Sequence, residues 1–258
     1  GDVENYLATL IERGLASPTL HNYKSALSSW CEFLIGRDLL RDNPCAKVRL
    51  PRIEQKLPRW LTTAEVREVL RIARAEGIWP EVRLALSTGL RLGELIRLEW
   101  RHVDFERRCL SVHKSKTRRP RVVPLSKSAL AALRAQSDKL RDGDFDFVFP
   151  ARRTWRGGWR YENKPRACNW WHRALTPIRA RVPKFTEGAA LRATGRGWHL
   201  FRHTFASQAA QAGVSLYIIA SWLGHSGVQM TQRYAHLAMR YDKRIELASE
   251  GDAAEGAT

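Results

Sequence analysis

The chain has 258 residues, 44% of them hydrophobic, with a formal net charge of +18 and a pI near 10.5. That length and apolar content allow one large or two ordinary domains and exclude a mainly disordered chain, and no apolar run approaches the roughly eighteen residues a bilayer span needs. So basic a chain fits nucleic acid or an anionic membrane surface; the basic residues are spread over many segments rather than gathered on one amphipathic face, which favours nucleic acid.

Cys31, Cys45, Cys109 and Cys168 show no CxxC spacing. They read as reduced thiols of a cytoplasmic protein, not as a zinc ribbon or a secreted disulfide scaffold. There is no GxxxxGK[ST] loop for a nucleotide-driven motor. His199 and His203 stand at i, i+4 but lack the glutamate of an HExxH site, so neither a metal nor another cofactor is expected.

Residues 3–14 predict a helix with Val3, Tyr6, Leu7, Leu10 and Ile11 on one face. Ser17-Pro18 opens a second helix to Ile35, with Leu20, Tyr23, Leu27, Trp30 and Leu34 toward the core and His21 and Lys24 off that face. Lys47, Arg49, Arg52 and Lys56 then fall in an aperiodic, proline-containing stretch. The expected division is a helical domain over 1–50, a linker over 51–59, a second domain over 60–248 and a disordered tail over 249–258.

Thr62 to Glu65 is a capping box that starts the second domain. Pro80 opens a helix that runs through 81–88 into Thr88-Gly89-Leu90-Arg91-Leu92-Gly93-Glu94-Leu95. The glycines place Arg91 at a helix junction, with Glu94 three residues on to orient it. Strand patterns cover 109–113 and 121–125, joined by the basic tip 114–120. Eight basic residues and two acids lie between 101 and 121, enough cationic character for that tip to enter a nucleic-acid groove.

Ser126 to Leu140 reads as an amphipathic helix and Phe145 to Pro150 as a short buried segment. Residues 152–184 carry ten basic residues and one acid, with tryptophans interleaved, as on a surface that meets a phosphate backbone. Within them 152–164 reads as loop and 166–180 as helix; Trp170 and Trp171 fit core packing better than base stacking. The stretch up to Gly197 is glycine-rich and reads as mobile. Helices follow from Trp198 to Gly213, from Ser215 to Gly224, and from Ser226 through Tyr234, with a last short one beyond Met239.

The polar residues suggest a chemistry. An anionic phosphodiester resists attack unless cations meet the charge that builds on its non-bridging oxygens. Arginine forks suit those oxygens, a lysine can protonate a leaving alkoxide, and a tyrosine can attack if nearby cations stabilise its phenolate. Residues 205–223 also fit a helix-turn-helix, which would make the protein a non-catalytic DNA-binding regulator with a structural Tyr234.

The ordered blocks TGLRLGEL (88–95), SKTRRPRVVPL (115–125), HLFRHTFAS (199–207), LGHS (223–226) and TQRYAHL (231–237) resemble the tyrosine recombinase (phage integrase) family over about residues 60–240. Residues 1–50 resemble the family's helical core-binding domain, shortened, so the chain is expected to begin inside it. The resemblance implies a mainly α fold with a small antiparallel sheet, in two domains closing as a C-shaped clamp on DNA. It implies that Arg91 and Arg202 bind the scissile phosphate, that Lys116 protonates the 5′-oxygen and that His199 accepts the tyrosine's proton. His225 would hydrogen-bond a phosphate oxygen, Tyr234 would form the 3′-phosphotyrosyl bond, and Glu94 would buttress Arg91. Neither ATP nor a metal is implied.

The implied partners are duplex DNA bearing a specific recombination site, three further copies of the chain in a Holliday-junction tetramer, and accessory DNA-bending factors. The implied place of action is the bacterial nucleoid or a phage-infected cell. Backbone contacts are expected from Lys24, Lys47, Arg52, Lys56, Lys114, Arg118, Arg119, Arg121, Arg152, Arg153 and Arg156. Lys114 competes with Lys116, since i and i+2 share a strand face; the SKT block favours Lys116. Phe201 departs from the aliphatic residue usual before the second arginine, and 151–197 is longer and more basic than in minimal members. A nicking-closing topoisomerase is the alternative within the same chemistry.

Overall fold

The computed structural model describes residues 1–53, 58–113, 120–140, 144–155, 158–186 and 197–238. Residues 114–119 of the expected tip, the glycine-rich 187–196 and the last helix with its tail lie outside these. The chain forms two compact units, Gly1–Leu57 and Pro58–Thr258.

In the first unit, α1 (Asp2–Glu12) and α2 (Ser17–Ile35) bury Leu7, Leu10 and Leu20, with Val3, Leu15, Leu27, Val48 and Leu50 packed around them. The expected faces are rotated. Tyr6, Ile11, Tyr23 and Trp30 are exposed, Trp30 by 58%, and Trp30 stacks instead on Phe33 at 5.7 Å. The inward stripe of α2 runs Leu20, Lys24, Leu27, Cys31, a helical 4-3-4 spacing that leaves position 30 outside. Lys24 therefore lies on the inward face, not off it, and its Nζ donates to the Val48 carbonyl at 2.6 Å. Lys47 and Arg52 are exposed.

The second unit begins as the capping box predicts: Thr62 caps α3 (Thr63–Ala75), its Oγ1 accepting from the Glu65 N–H at 3.3 Å. Next come α4 (Trp79–Thr88), α5 (Leu92–Ile96) and a three-stranded antiparallel sheet. Its strands are β1 (Val103–Asp104), β2 (Cys109–Val112) and β3 (Arg121–Pro124), in that spatial order, with Leu110 opposite Val123. Ser126 caps α6 (Lys127–Lys139). Among the described residues the further α-helices are α7 (Cys168–Ala174), α8 (Thr176–Arg181), α9 (Gly197–Gln211), α10 (Leu216–Leu223), α11 (Gln229–Gln232) and α12 (Ala235–Ala238).

Three local expectations are corrected. Residues 152–164 are not loop but a hairpin of β4 (Pro150–Trp155) and β5 (Gly158–Pro165), with Arg152 opposite Tyr161. The Arg-Gly-Gly at 156–158 is a turn signal that the charge of this stretch obscures. The helix expected over 166–180 is two, divided at Leu175 ahead of Pro177, whose ring a continuing helix could not accommodate. Ser226 does not cap a helix through Tyr234; the tyrosine lies in the turn between α11 and α12.

Helix α4 is central. Val82, Leu84, Ala85 and Leu86 join Ala129, Ala132 and Leu133 of α6 and Leu200 and Phe201 of α9 in one apolar core. Aromatic rings fix α9 against this core. Trp198 meets Trp171 at 5.0 Å and Phe201 at 5.4 Å, Phe201 meets Phe185 at 5.5 Å, and the Trp198 indole donates to the Trp171 carbonyl at 2.7 Å. Phe201 is fully buried in that chain of edge-to-face rings, which accounts for an aromatic residue beside Arg202. Trp171, also fully buried, is a core residue as expected. Trp171→Ala is expected to cost about 3–5 kcal/mol by removing a large buried side chain, measured by urea denaturation.

Candidate active site

The site starts where α4 ends. Gly89 adopts φ +62, and a Cβ there would come 2.5 Å from Phe205 Cδ1. A left-handed residue without a side chain lets the chain reverse tightly over α9 and makes Arg91 the N-cap of α5. Glu94, in the first turn of α5, accepts from the Arg91 backbone N–H at 2.8 Å and from its Nη1 at 3.1 Å.

Arg121 shares that carboxylate. Its Nη1 donates to Glu94 Oε1 at 3.0 Å and its Nη2 to Oε2 at 2.6 Å, with both side chains about 95% withdrawn from solvent. The expectation that Arg121 contacts DNA is therefore corrected: it is the first residue of β3, where alternation turns it inward with Val123. Burial raises the Glu94 pKa, but the hydrogen bonds and charge of Arg121, with Arg91 behind, outweigh this and hold it below the usual carboxylate range.

All three arginines also reach the C-terminal end of α10. Arg121 Nε donates to the Trp222 carbonyl at 2.7 Å, Arg202 Nη2 to Leu223 at 2.6 Å, and Arg91 Nη2 to Gly224 at 3.1 Å. These are the carbonyls a helix leaves without intrahelical partners, at its partly negative end. Gly224 closes α10 at φ +63, and a Cβ there would lie 2.9 Å from Arg121 Nη1. Arg202 Nη1 donates in addition to Gly89 O at 2.8 Å, joining the ends of α4 and α10. Burial first, then the charge of Arg91, pushes the Arg202 guanidinium down to about 9, still charged at neutral pH.

His225 follows Gly224, and its Nδ1 shares a 2.6 Å hydrogen bond with Thr231 Oγ1. Tyr234 is 2% exposed, packed with Ala206, Ala210, Ile219 and Leu223. Its hydroxyl oxygen lies 2.5 Å from His203 Nδ1. Burial pushes the Tyr234 phenol up to about 12, against the lowering influence of Arg233 and Arg202. The expected depression by nearby cations is thus outweighed by desolvation in the DNA-free protein. Burial, reinforced by neighbouring cationic groups, takes His203 down to about 3 and His225 to about 4, so both imidazoles are neutral.

The structure brings together Arg91, Glu94, Arg202, His225 and Tyr234. His199 is exposed on α9, its ring 4.7 Å from that of His203. Lys116, Lys114, Arg118, Arg119, Lys56 and Arg156 lie outside the described residues. Arg152 and Arg153 are exposed on the hairpin, Arg152 donating to the Tyr161 hydroxyl at 3.2 Å. Sequence reading missed the roles of Arg121, His203 and Thr231. For His203 a signal was present: it stands one turn from His199 and next to Arg202. Among the described residues, no cluster of His, Cys, Asp and Glu could hold a metal.

The assembly is a cluster of three arginines at the end of α10 with a buried tyrosine packed on the same helix, a set of groups suited to a phosphodiester. The sequence pattern of the Phage integrase family matches residues 59–240. The chain belongs to that family. It is 30% identical over 251 residues to tyrosine recombinase XerC of Xylella fastidiosa (strain 9a5c), covering 94% of this chain and 78% of that protein. It is 27% identical over 250 residues to tyrosine recombinase XerD of Rhizobium meliloti (strain 1021), covering 92% and 75%. Its fold resembles the Tn1549 transposon integrase in complex with a circular intermediate DNA (TM-score 0.71, 21% identity, 97% of this chain and 84% of that one). It also resembles a lambda integrase dimer bound to a core site (TM-score 0.67, 19% identity, 93% and 81%). The mainly helical integrase fold with small antiparallel sheets is the one expected.

Two outcomes follow for this integrase-family site. Arg121→Ala leaves Glu94 short of its bidentate partner and is expected to cost about 3–5 kcal/mol in urea denaturation. Unfolded imidazoles take up protons near their ordinary pKa of about 6.5, whereas folded His225 and His203 stay neutral down to about 4 and about 3. The unfolded state then binds more protons, so the stability of the DNA-free protein falls as pH drops from about 6.5 toward 4. His225→Asn should flatten part of that slope in urea midpoints taken at successive pH values.

Proposed function

We propose that this tyrosine recombinase cleaves and rejoins DNA at a specific site through a covalent 3′-phosphotyrosyl intermediate. The observation that carries this is the convergence of Arg91 and Arg202 on the ends of α4 and α10, with His225 directly after Gly224 and Tyr234 packed on Leu223 of α10, all within one unit. Each guanidinium has five N–H donors, and the carbonyl and carboxylate contacts occupy only some of them. The remainder can address the non-bridging oxygens of a phosphate, and His225 can add a hydrogen bond.

The chemistry balances without an outside energy source. The Tyr234 oxygen bonds to phosphorus as the bond to the 5′-oxygen breaks. The phenol proton passes to a base, for which the family resemblance implies His199, and Lys116 protonates the leaving 5′-oxygen. One phosphoester replaces another, so a 5′-hydroxyl from a second strand can reverse the step and join to it. Entry of the phosphate places an anion beside Arg202 and Arg91, which favours the imidazolium and spreads the charge of the transition state.

We assign residues 1–50 to DNA binding ahead of the catalytic part, with Lys47, Arg52, Arg152 and Arg153 on the phosphate backbone. The working assembly is a tetramer at a Holliday junction on cellular or phage DNA, with DNA-bending partners where the site requires them. No described helix is long and apolar enough to cross a membrane.

The test is a nicked suicide duplex carrying the recombination site, with covalent adduct read on a denaturing gel. Wild type should form the adduct and Tyr234→Phe should not; an adduct from Tyr234→Phe refutes the nucleophile. Lys116→Ala should lose at least about a hundredfold in cleavage rate and recover on a 5′-bridging phosphorothioate, whose leaving group needs no proton. Exchange of strands between two duplexes, rather than relaxation alone, marks a recombinase.

A further inference from the structure

The nucleophile is carried by weak local structure. Tyr234 stands between two four-residue helical turns, Gln229–Gln232 and Ala235–Ala238, too short to hold a side chain by their own backbone bonding. Two things fix it from outside. Its ring packs on α9 and α10 through Ala206, Ala210, Ile219 and Leu223, and its hydroxyl meets His203 Nδ1 at 2.5 Å.

His203 is adjacent to Arg202 on the fifteen-residue α9. That helix is immobilised by the rings of Trp198 and Phe201 and by the bonds of Arg202 to Gly89 and Leu223. Neighbouring residues of one rigid helix thus touch the phosphate-binding side of the site and the oxygen that attacks it. The ring of His203 also lies against His199, 4.7 Å between centroids.

We infer that His203 is a positioning residue for the reaction, holding the Tyr234 hydroxyl at a set offset from Arg202 so that nucleophile and phosphate are registered within a single chain. This deepens the proposal above and rests on Tyr234 being the nucleophile. A hydroxyl held by a neutral imidazole keeps its orientation yet is free to leave that partner when the phosphate arrives. Displacement of a reacting atom by about 1 Å can cost roughly a hundredfold in rate, so the contact should act on cleavage far more than on affinity.

The test uses the full chain and the nicked suicide duplex, with adduct formation followed at saturating protein and affinity measured separately on an intact duplex site. His203→Ala should slow adduct formation by about tenfold to a hundredfold while the Kd stays within about twofold. His203→Asn, which sets an amide where Nδ1 stood, should recover most of the rate. His203→Gln fills the same space but carries its amide at the Nε2 position, and should behave like alanine. If His203→Ala does not melt cooperatively, the Asn and Gln pair carries the comparison alone. Wild-type rate in His203→Ala or His203→Gln, a parallel loss of affinity and rate, or no difference between Asn and Gln overturns the inference. No adduct from wild type overturns the underlying recombinase reading instead.

Discussion

The buried Glu94 carboxylate is the constraint on which the rest of the site depends. It takes two N–H groups from Arg121 and two from Arg91, and the same two guanidiniums run on to the Trp222 and Gly224 carbonyls at the end of α10, on either side of the Leu223 carbonyl that Arg202 takes. Remove it and two cations would face each other and Arg202 across a desolvated space with no negative charge between them. One carboxylate so sets the positions of β3, α5 and α10 together. It acts where a helix end already offers carbonyls that need donors, so cations and helix satisfy each other.

The second determinant is α4, whose far end carries Gly89. Its apolar face is locked between α6 and α9, so the carbonyl that receives Arg202 cannot drift relative to the core. Support from packing then declines outward along the chain. Helices α9 and α10 are fixed by packing, whereas α11 and α12 are single turns that depend on contacts made for them. Precision at Tyr234 is therefore borrowed from α9 through its ring and its hydroxyl.

Much of this was legible in the sequence, for reasons that differ by residue. Arg91 sits between two glycines at a helix junction, and Arg202, His225 and Tyr234 stand in short blocks of fixed order, so their types and spacing suffice to find them. Arg121 was hidden because it ends a run of surface-like cations. Only strand alternation with Val123 and Leu125 distinguishes it, and its partner lies 27 residues upstream. Trp30 is hydrophobic yet exposed: the two described helices of the first unit enclose little interior, and Cys31 occupies the inward position. The cations beside Tyr234 are visible in the sequence, whereas the desolvation that outweighs them in the DNA-free protein is not.

Arg202 is almost fully buried and held at both ends of its guanidinium before any DNA arrives. A free arginine side chain carries roughly 2 kcal/mol of rotamer entropy. On the phosphate-binding role proposed for Arg202, that freedom is surrendered when the chain folds, not when a phosphate binds. The ordering cost has moved from the encounter with DNA to the stability of the empty protein, which leaves the apo fold less stable than its packing alone would make it. In return, the recognition step meets a surface whose shape is already set, and a mismatched phosphate finds little slack to adapt to it.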